Sequence, residues 1–306
     1  MKTKLESLLR LVFKSMNADT VFNRIKSIVK GSICPVKKDS GVLVFSLFRL
    51  FFVATIVALC AFLIANMVGG FGQLMSILSQ DDPDTIMKLL PAGAQVVILV
   101  AYIVVSLVSV LIEVAFAYAM HFFKKGQELS FSSGLVRVKE KFFQVFLWTF
   151  IILALTTIID SIGKINPVFS LFGSLLSFGF GLALYFLSPV LALEEGGSLN
   201  MEFKKSAESF AFVWKEVVLV WIAFVIVLGV TFIIAFALIA ILSSAILFLL
   251  KGISVYYITY VAVAIVVSVL VLSFVIVDFV SMSFRLSLYE FAREKMVGVE
   301  GTAELN

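Results

Sequence analysis

Apolar residues in this chain are concentrated in six runs that are separated by short polar connections. An α-helix needs about 20 apolar residues to cross the hydrocarbon core of a bilayer, and the six runs reach that length. The pattern therefore predicts an all-α integral membrane protein whose six transmembrane helices form three hairpins. The predicted spans are residues 42–68, 94–123, 142–159, 168–193, 217–242 and 256–284.

Basic residues lie mainly on one side of these spans. Twenty of the 24 Lys and Arg residues fall in the first 41 residues, in the connections after spans two and four, and in the C-terminal tail. The other three connections carry one each, Lys88, Lys164 and Lys251, and Arg49 lies inside span one. Because cytoplasmic loops carry the excess of Lys and Arg, both termini are predicted to be cytoplasmic.

Amphipathic segments precede the hairpins on the predicted cytoplasmic side. In the N-terminal segment, apolar side chains recur at helical spacing on one face, and basic residues lie elsewhere. Such a segment is typical of binding to anionic lipids at the cytoplasmic face of the bilayer. Docking of a protein partner and covering of the inner helix ends are the alternatives. The two apolar faces are Leu5, Leu8, Leu9, Val12 and Met16, and then Phe22, Ile25, Ile28 and Val29.

The same features suggest how the chain is divided. Segments around Leu135 and Phe203 precede the second and third hairpins as the N-terminal segment precedes the first. A threefold internal repeat is therefore predicted over residues 1–123, 124–193 and 194–290. The predicted domains are a basic amphipathic segment (1–41), a six-helix membrane domain (42–290) and a cytoplasmic tail (291–306).

The first outer connection is acidic and contains helix signals. Asp82 followed by Pro83 is typical of a helix N-cap and first turn, and Pro91 ends the short helix that follows. Residues 71–90 are therefore predicted to form a compact cap rather than an extended loop.

The composition excludes several protein classes. Apolar residues make up 61% of the chain, charged residues 14%, and the mean hydropathy is +1.12, whereas soluble domains average about 45–50% apolar and about 25% charged. A water-soluble enzyme, a disordered chain and a secreted disulfide scaffold are excluded. The net charge of +4 reflects membrane topology, so no nucleic-acid partner is expected. With one histidine, two cysteines and no HExxH, GxSxG or Walker motif, no metal, cofactor or enzymatic activity is predicted.

The middle of the chain carries a more specific pattern. Residues 126–148 read GQELSFSSGLVRVKEKFFQVFLW, and residues 184–216 read LYFLSPVLALEEGGSLNMEFKKSAESFAFVWKE. Over about residues 105–220 the chain resembles a prokaryotic six-span membrane protein family that is defined only as a domain of unknown function. The resemblance implies the six-span fold and the inner membrane of a prokaryote but no reaction, and that family tends to carry an amide where this chain has Glu113. The matching residues are Gly126, Glu128, Trp148, Phe186, Pro189, Val190, Leu191, Glu194, Lys204, Lys205, Ser206, Trp214 and Glu216.

Three charged residues inside the predicted spans form a candidate intramembrane charge site: Arg49, Glu113 and Asp278. The helical rise places all three in the inner half of the membrane. Inserting a charge costs at least about 2.5–3.5 kcal/mol when it lies at the bilayer centre. One interpretation is a structural ion pair between Arg49 and one of the two acids, and the other is a proton- or cation-responsive site. A third interpretation is that Arg49 extends its side chain along the helix so that the guanidinium reaches the lipid headgroups (snorkelling). His121, eight residues after Glu113, is either a proton relay to that acid or a solvated interfacial histidine.

Small residues and a proline mark span four. Gly173, Ser177 and Gly181 recur every four residues, a spacing typical of close helix packing in membranes. Pro189 predicts a kink, because proline removes a backbone donor and its ring clashes with the preceding turn. A pore-lining face and a hinge are the respective alternatives.

The sequence favours two functions, and an intramembrane enzyme with Glu113 and Asp278 as paired carboxylates ranks third, because no nucleophile or metal ligands accompany them. The first is a non-enzymatic membrane scaffold or accessory subunit, acting with a protein partner or as a homo-oligomer, and it is favoured by the short outer connections and the cytoplasmic amphipathic segments. The alternative is a transporter or channel for a small solute, ion or lipid that uses Glu113 and Asp278. The surroundings of these acids discriminate between the two, since a hydrated cavity favours transport and a dry, paired charge favours the scaffold.

Overall fold

The structure is a computed structural model that describes residues 39–80, 82–163, 166–195, 197–249 and 255–303. Every regular element in these ranges is a helix, so the all-α prediction is confirmed for this part of the chain. Among the described residues, five segments are long and apolar enough to cross a membrane, and the predicted span 217–242 is not one of them. The amphipathic helices predicted within residues 5–29 lie outside the described residues. The five segments are Gly41–Val68, Ala92–Lys124, Phe131–Gly163, Phe169–Leu193 and Val266–Met296.

The described helices belong to two compact units. One unit is Val44–Lys204, and the other combines Met1–Leu43 with Lys205–Asn306. A 3₁₀ turn at Ser40–Leu43 precedes the first α-helix. The helices are α1 (Val44–Val68), α2 (Phe71–Leu78), α3 (Pro83–Leu89), α4 (Ala92–Lys124), α5 (Phe131–Gly163), α6 (Pro167–Ala183), α7 (Leu187–Leu193), α8 (Leu199–Leu249) and α9 (Val255–Ala303).

Helices α5 and α8 are longer than the predicted spans they contain. No glycine or proline lies between the amphipathic segment around Leu135 and the apolar run that follows it, so α5 continues through both without a turn. Helix α8 includes the corresponding segment around Phe203, and its helical geometry is interrupted at Val213, where φ is −125° and ψ is 19°. In α8 a kink therefore separates the amphipathic segment from the apolar run. In α5 the helix continues from one to the other without interruption.

Helix α4 is the centre of the Val44–Lys204 unit, where it packs against α1, α5 and α7. Most of its buried residues lie in its second half, and the alanines there allow neighbouring backbones to approach closely. A Cβ added to Gly134 of α5 would stand 2.6 Å from the carbonyl oxygen of Ala115. Beside this crossing, the rings of Phe45 and Phe116 meet edge to face with centroids 5.7 Å apart.

The cap predicted over residues 71–90 is confirmed as a compact helical segment. Asp82 Oδ2 accepts hydrogen bonds from the backbone N–H of Thr85 at 3.1 Å and from its hydroxyl at 2.6 Å, which makes Asp82 the N-cap of α3. Helix α1 ends at Val68 and is followed by Gly69 and Gly70, whose φ angles of 95° and 122° favour glycine. The cap closes over a small apolar core formed by Ile64, Ala65, Leu74, Leu90 and Ala94.

The segment predicted as span four contains a turn. Helix α6 ends at Ala183, residues 184–186 form the turn, and α7 begins at Leu187. Pro189 is therefore the third residue of α7, where no intrahelical partner for its backbone nitrogen is required. In a continuous helix the Pro189 ring would clash with the carbonyl of Tyr185, so the chain breaks one turn before the proline.

The small residues of α6 differ in what they contact. A Cβ on Gly173 would stand 3.2 Å from the Ile159 side chain and 3.3 Å from its carbonyl oxygen, so α6 packs closely on α5 here. A Cβ on Gly181 would meet no atom of the described chain within 4 Å, and Ser177 is half-buried. Close packing against a neighbouring helix is therefore seen at Gly173, whereas Gly181 faces open space within the described part of the chain.

The α4–α5 crossing gives a matched pair of glycine substitutions. Gly134→Ala should lower the free energy of unfolding by about 1–3 kcal/mol, because the new methyl group overlaps a backbone oxygen that cannot move aside. Gly181→Ala should be neutral or stabilising by up to about 1 kcal/mol, since alanine favours the helix and the space is open. Thermal unfolding of both variants in the same detergent measures the difference. Equal midpoints would contradict the close crossing.

Candidate functional site

Glu113 accepts hydrogen bonds from two other helices. Its Oε1 receives Nη1 of Arg49 from α1 at 3.1 Å, and its Oε2 receives the hydroxyl of Ser188 from α7 at 2.9 Å. The side chains of Arg49 and Glu113 are 21% and 13% exposed. These three residues, called here the Glu113 tie, connect α1, α4 and α7.

The Glu113 tie satisfies the carboxylate on both of its oxygens. Arg49 and Glu113 lie within the candidate membrane-spanning segments Gly41–Val68 and Ala92–Lys124, where an isolated charge is costly. The Arg49 guanidinium and the Ser188 hydroxyl each supply a hydrogen-bond donor, which water would provide to an exposed carboxylate. The tie therefore holds an ion pair between helices, and it leaves neither oxygen of Glu113 without a donor.

The other predicted site residues are Asp278 and His121. Asp278 is on α9, in the unit that contains Lys205–Asn306. It is half-buried and has an interaction partner. His121 is near the C-terminal end of α4, with its ring edge to face against Phe122 at 5.4 Å. Eight residues of helix, about 12 Å of rise, separate it from Glu113. Of the predicted set, the structure brings together Arg49 and Glu113.

Arg137 of α5 holds the end of α7. Its Nε donates to the carbonyl of Ala192 and its Nη2 donates to the carbonyl of Glu194, both at 2.8 Å. Its guanidinium also pairs with Glu140 at 3.1 Å and lies 5.6 Å from the ring centroid of Tyr118. The last carbonyls of a helix lack intrahelical donors, so Arg137 caps α7 with a cation at its negative end.

A second polar cluster lies further along the same face of α5. Trp148 Nε1 donates to Glu202 Oε2 at 2.7 Å, and Gln144 Nε2 donates to the carbonyl of Gly197 at 3.2 Å. Lys141 is 6% exposed and Glu202 is 3% exposed. We call Lys141, Gln144, Trp148, Gly197 and Glu202 the Glu202 cluster.

Burial dominates the electrostatics of Glu202, which lies outside the five candidate spans. Removal of the carboxyl from water raises its pKa above the ordinary 4.5, while the hydrogen bond from Trp148 and the charge of Lys141 act in the opposite direction. Glu202 therefore binds its proton more tightly in the folded protein than in the unfolded chain.

Sequence reasoning missed most of this second group. Trp148 entered only through the family resemblance, and Glu202 was not singled out because the neighbouring Lys204 and Lys205 make its segment look solvated. A usable signal was present in α5, where polar residues and a tryptophan recur at helical spacing beside strongly apolar positions. The residues on this face are Arg137, Lys141, Gln144 and Trp148.

The Glu113 tie makes a stability prediction. Glu113→Gln keeps the shape of the side chain but leaves the Arg49 cation facing a neutral amide, so the protein should lose stability in detergent. Breaking a fully buried pair typically costs about 3–5 kcal/mol, and the partial exposure of Arg49 places the expected loss at or below about 3 kcal/mol. Adding Arg49→Met should restore part of it.

A double-mutant cycle over Arg49 and Glu113 measures this coupling directly. Glu195→Gln, at an exposed carboxylate of the same unit, is the control and should leave the thermal midpoint unchanged. Strictly additive effects of the two substitutions would show that the pair contributes nothing to stability.

Comparison with known proteins gives no match: no family model, no curated protein and no solved structure is significantly similar to this chain. The resemblance of residues 105–220 to a six-span family therefore stays a prediction. What the protein does has to be inferred from the contacts of its described residues.

Proposed function

We propose that the protein is a non-enzymatic membrane scaffold, or an accessory subunit of a membrane assembly. The observation that carries this proposal is the Glu113 tie. An acid that takes part in transport must gain and lose a proton or an ion, whereas Glu113 is held on one oxygen by Arg49 and on the other by Ser188. This arrangement favours a structural contact that holds the helices together, rather than a transport site.

The proposal includes six spans with both termini in the cytoplasm of a prokaryote. It is supported by the distribution of Lys and Arg and by the apolar helix Phe232–Ile241, which lies within the run predicted as span five. On this threading, the basic segment 1–41 faces the anionic lipids of the inner leaflet. The same surface would be available to a protein partner or to a second copy of the chain.

Cysteine labelling tests the threading. In a chain whose Cys34 and Cys60 are replaced by serine, a cysteine at Ser79 should react with a membrane-impermeant maleimide in intact cells. A cysteine at Lys204 should react only after permeabilisation, because the charge asymmetry places it inside. Both positions are exposed, so failure to react reflects sidedness. The reverse pattern would overturn the proposed orientation.

Two measurements separate the scaffold from a transporter. Purified protein in liposomes that contain a pH-sensitive dye should show the same proton leak as protein-free liposomes. Protein extracted gently from its native membranes should migrate as a particle larger than one 33.7 kDa chain with its detergent. A proton leak that Glu113→Gln abolishes, or a lone monomer in the native extract, would overturn the scaffold proposal.

A further inference from the structure

Two buried oxygens in the Glu202 cluster receive no hydrogen bond. They are Oε1 of Glu202 and Oε1 of Gln144, and both lie away from solvent. Leaving a buried acceptor without a donor is costly, and most so for a carboxylate. With Glu202 ionised, the cluster therefore leaves two buried acceptors without donors.

Both of these oxygens belong to residues that contact Gly197. Gln144 donates through Nε2 to the Gly197 carbonyl at 3.2 Å, and a Cβ on Gly197 would stand 3.6 Å from Glu202 Oε1. Reversing the Gln144 amide would place two carbonyl oxygens against each other, so the orientation with Nε2 towards Gly197 is the chemically sound one. In this orientation Gln144 Oε1 remains an acceptor and cannot donate to Glu202.

We propose that Glu202 and Gln144 form a proton-binding site that fastens the connection between α7 and α8 to helix α5. A proton on Glu202 Oε1 converts one of the two orphaned acceptors into a donor. It then donates to Gln144 Oε1, while Oε2 keeps its bond from Trp148. One proton therefore satisfies both atoms, and no other group is consumed or released.

The charged groups around the site set the direction of its response. From α5, Lys141 attracts the ionised form of Glu202. Lys141 also interacts with three other charged groups: Glu140 and Glu194 attract its cation, and Arg137 repels it. On the helix of Glu202, Lys204 and Lys205 follow directly, and both have interactions of their own.

The linkage between protonation and stability has a definite sign. Because burial raises the pKa of Glu202, the folded protein binds the proton more tightly than the unfolded chain. The stabilisation is fully present below the ordinary value of 4.5 and is lost as the pH rises through the raised value. Above that pH, the site holds a carboxylate with one oxygen lacking a donor, and the connection at Gly197 loosens.

Trp148 offers a direct report of this titration. It is 4% exposed, whereas Trp214 and Trp221 are 45% and 52% exposed, so Trp214→Phe and Trp221→Phe leave one tryptophan at the site. In lipid nanodiscs, the emission of Trp148 should show a one-proton transition at a pH above 4.5. Glu202→Gln should abolish the transition, and Glu195→Gln should preserve it. Lys141→Met should move the midpoint to higher pH, because a cation that favours ionisation is gone.

An infrared titration provides a second readout that does not depend on the indole. The wild-type minus Glu202→Gln difference spectrum should contain a protonated-carboxyl stretching band that disappears as the pH rises through the same transition. Absence of that band at every pH above 4.5 overturns the proposal, as does an emission transition that survives Glu202→Gln. The thermal midpoint of Glu202→Gln should also lose the pH dependence that Glu195→Gln retains.

Discussion

The ion pair between Arg49 and Glu113 is the contact on which the Val44–Lys204 unit depends. It joins residues 64 positions apart in the sequence, and the bond from Ser188 to the same carboxylate spans 75 positions. Apolar packing between membrane helices supplies little directional preference, because lipid tails are as apolar as the helix surfaces. A carboxylate that needs donors from α1 and α7 therefore fixes how these helices are rotated about α4.

Helix α7 shows why such fixed points are needed. It has seven residues, too few to be stable as an isolated helix, and residues Leu187 to Ala192 are buried. One end is bonded to Glu113 through Ser188, and the other is capped by Arg137. The break before Pro189 frees α7 from the direction of α6, and these two polar contacts determine where it goes instead.

The sequence predicts the helices better than it predicts their contacts. The length of an apolar run reports the thickness of the hydrocarbon that a helix crosses, so the sequence predicts runs that overlap the five candidate spans of the described residues. It does not predict that α5 starts at Phe131, eleven residues before the predicted span. Helical rise gives depth but not rotation about the axis. For that reason the sequence matches Arg49 in depth to both Glu113 and Asp278, and the structure shows the ion pair with Glu113. Serine hydroxyls are common in membrane helices and carry no charge, so nothing in the sequence distinguished Ser188 as the second donor to Glu113.

Glu113 and Glu202 show that burial alone does not assign a role to a carboxylate. Both are largely removed from solvent within one unit, yet they differ in the donors around them. Glu113 has a guanidinium on one oxygen and a hydroxyl on the other, which stabilises its charge. Glu202 has a single indole N–H on one oxygen, an unbonded second oxygen and a lysine that interacts with several other charged groups. Burial raises the pKa of Glu202, and its second oxygen lacks a donor. We therefore infer that Glu202, rather than the acid that apolar surroundings make conspicuous, is the one able to respond to pH.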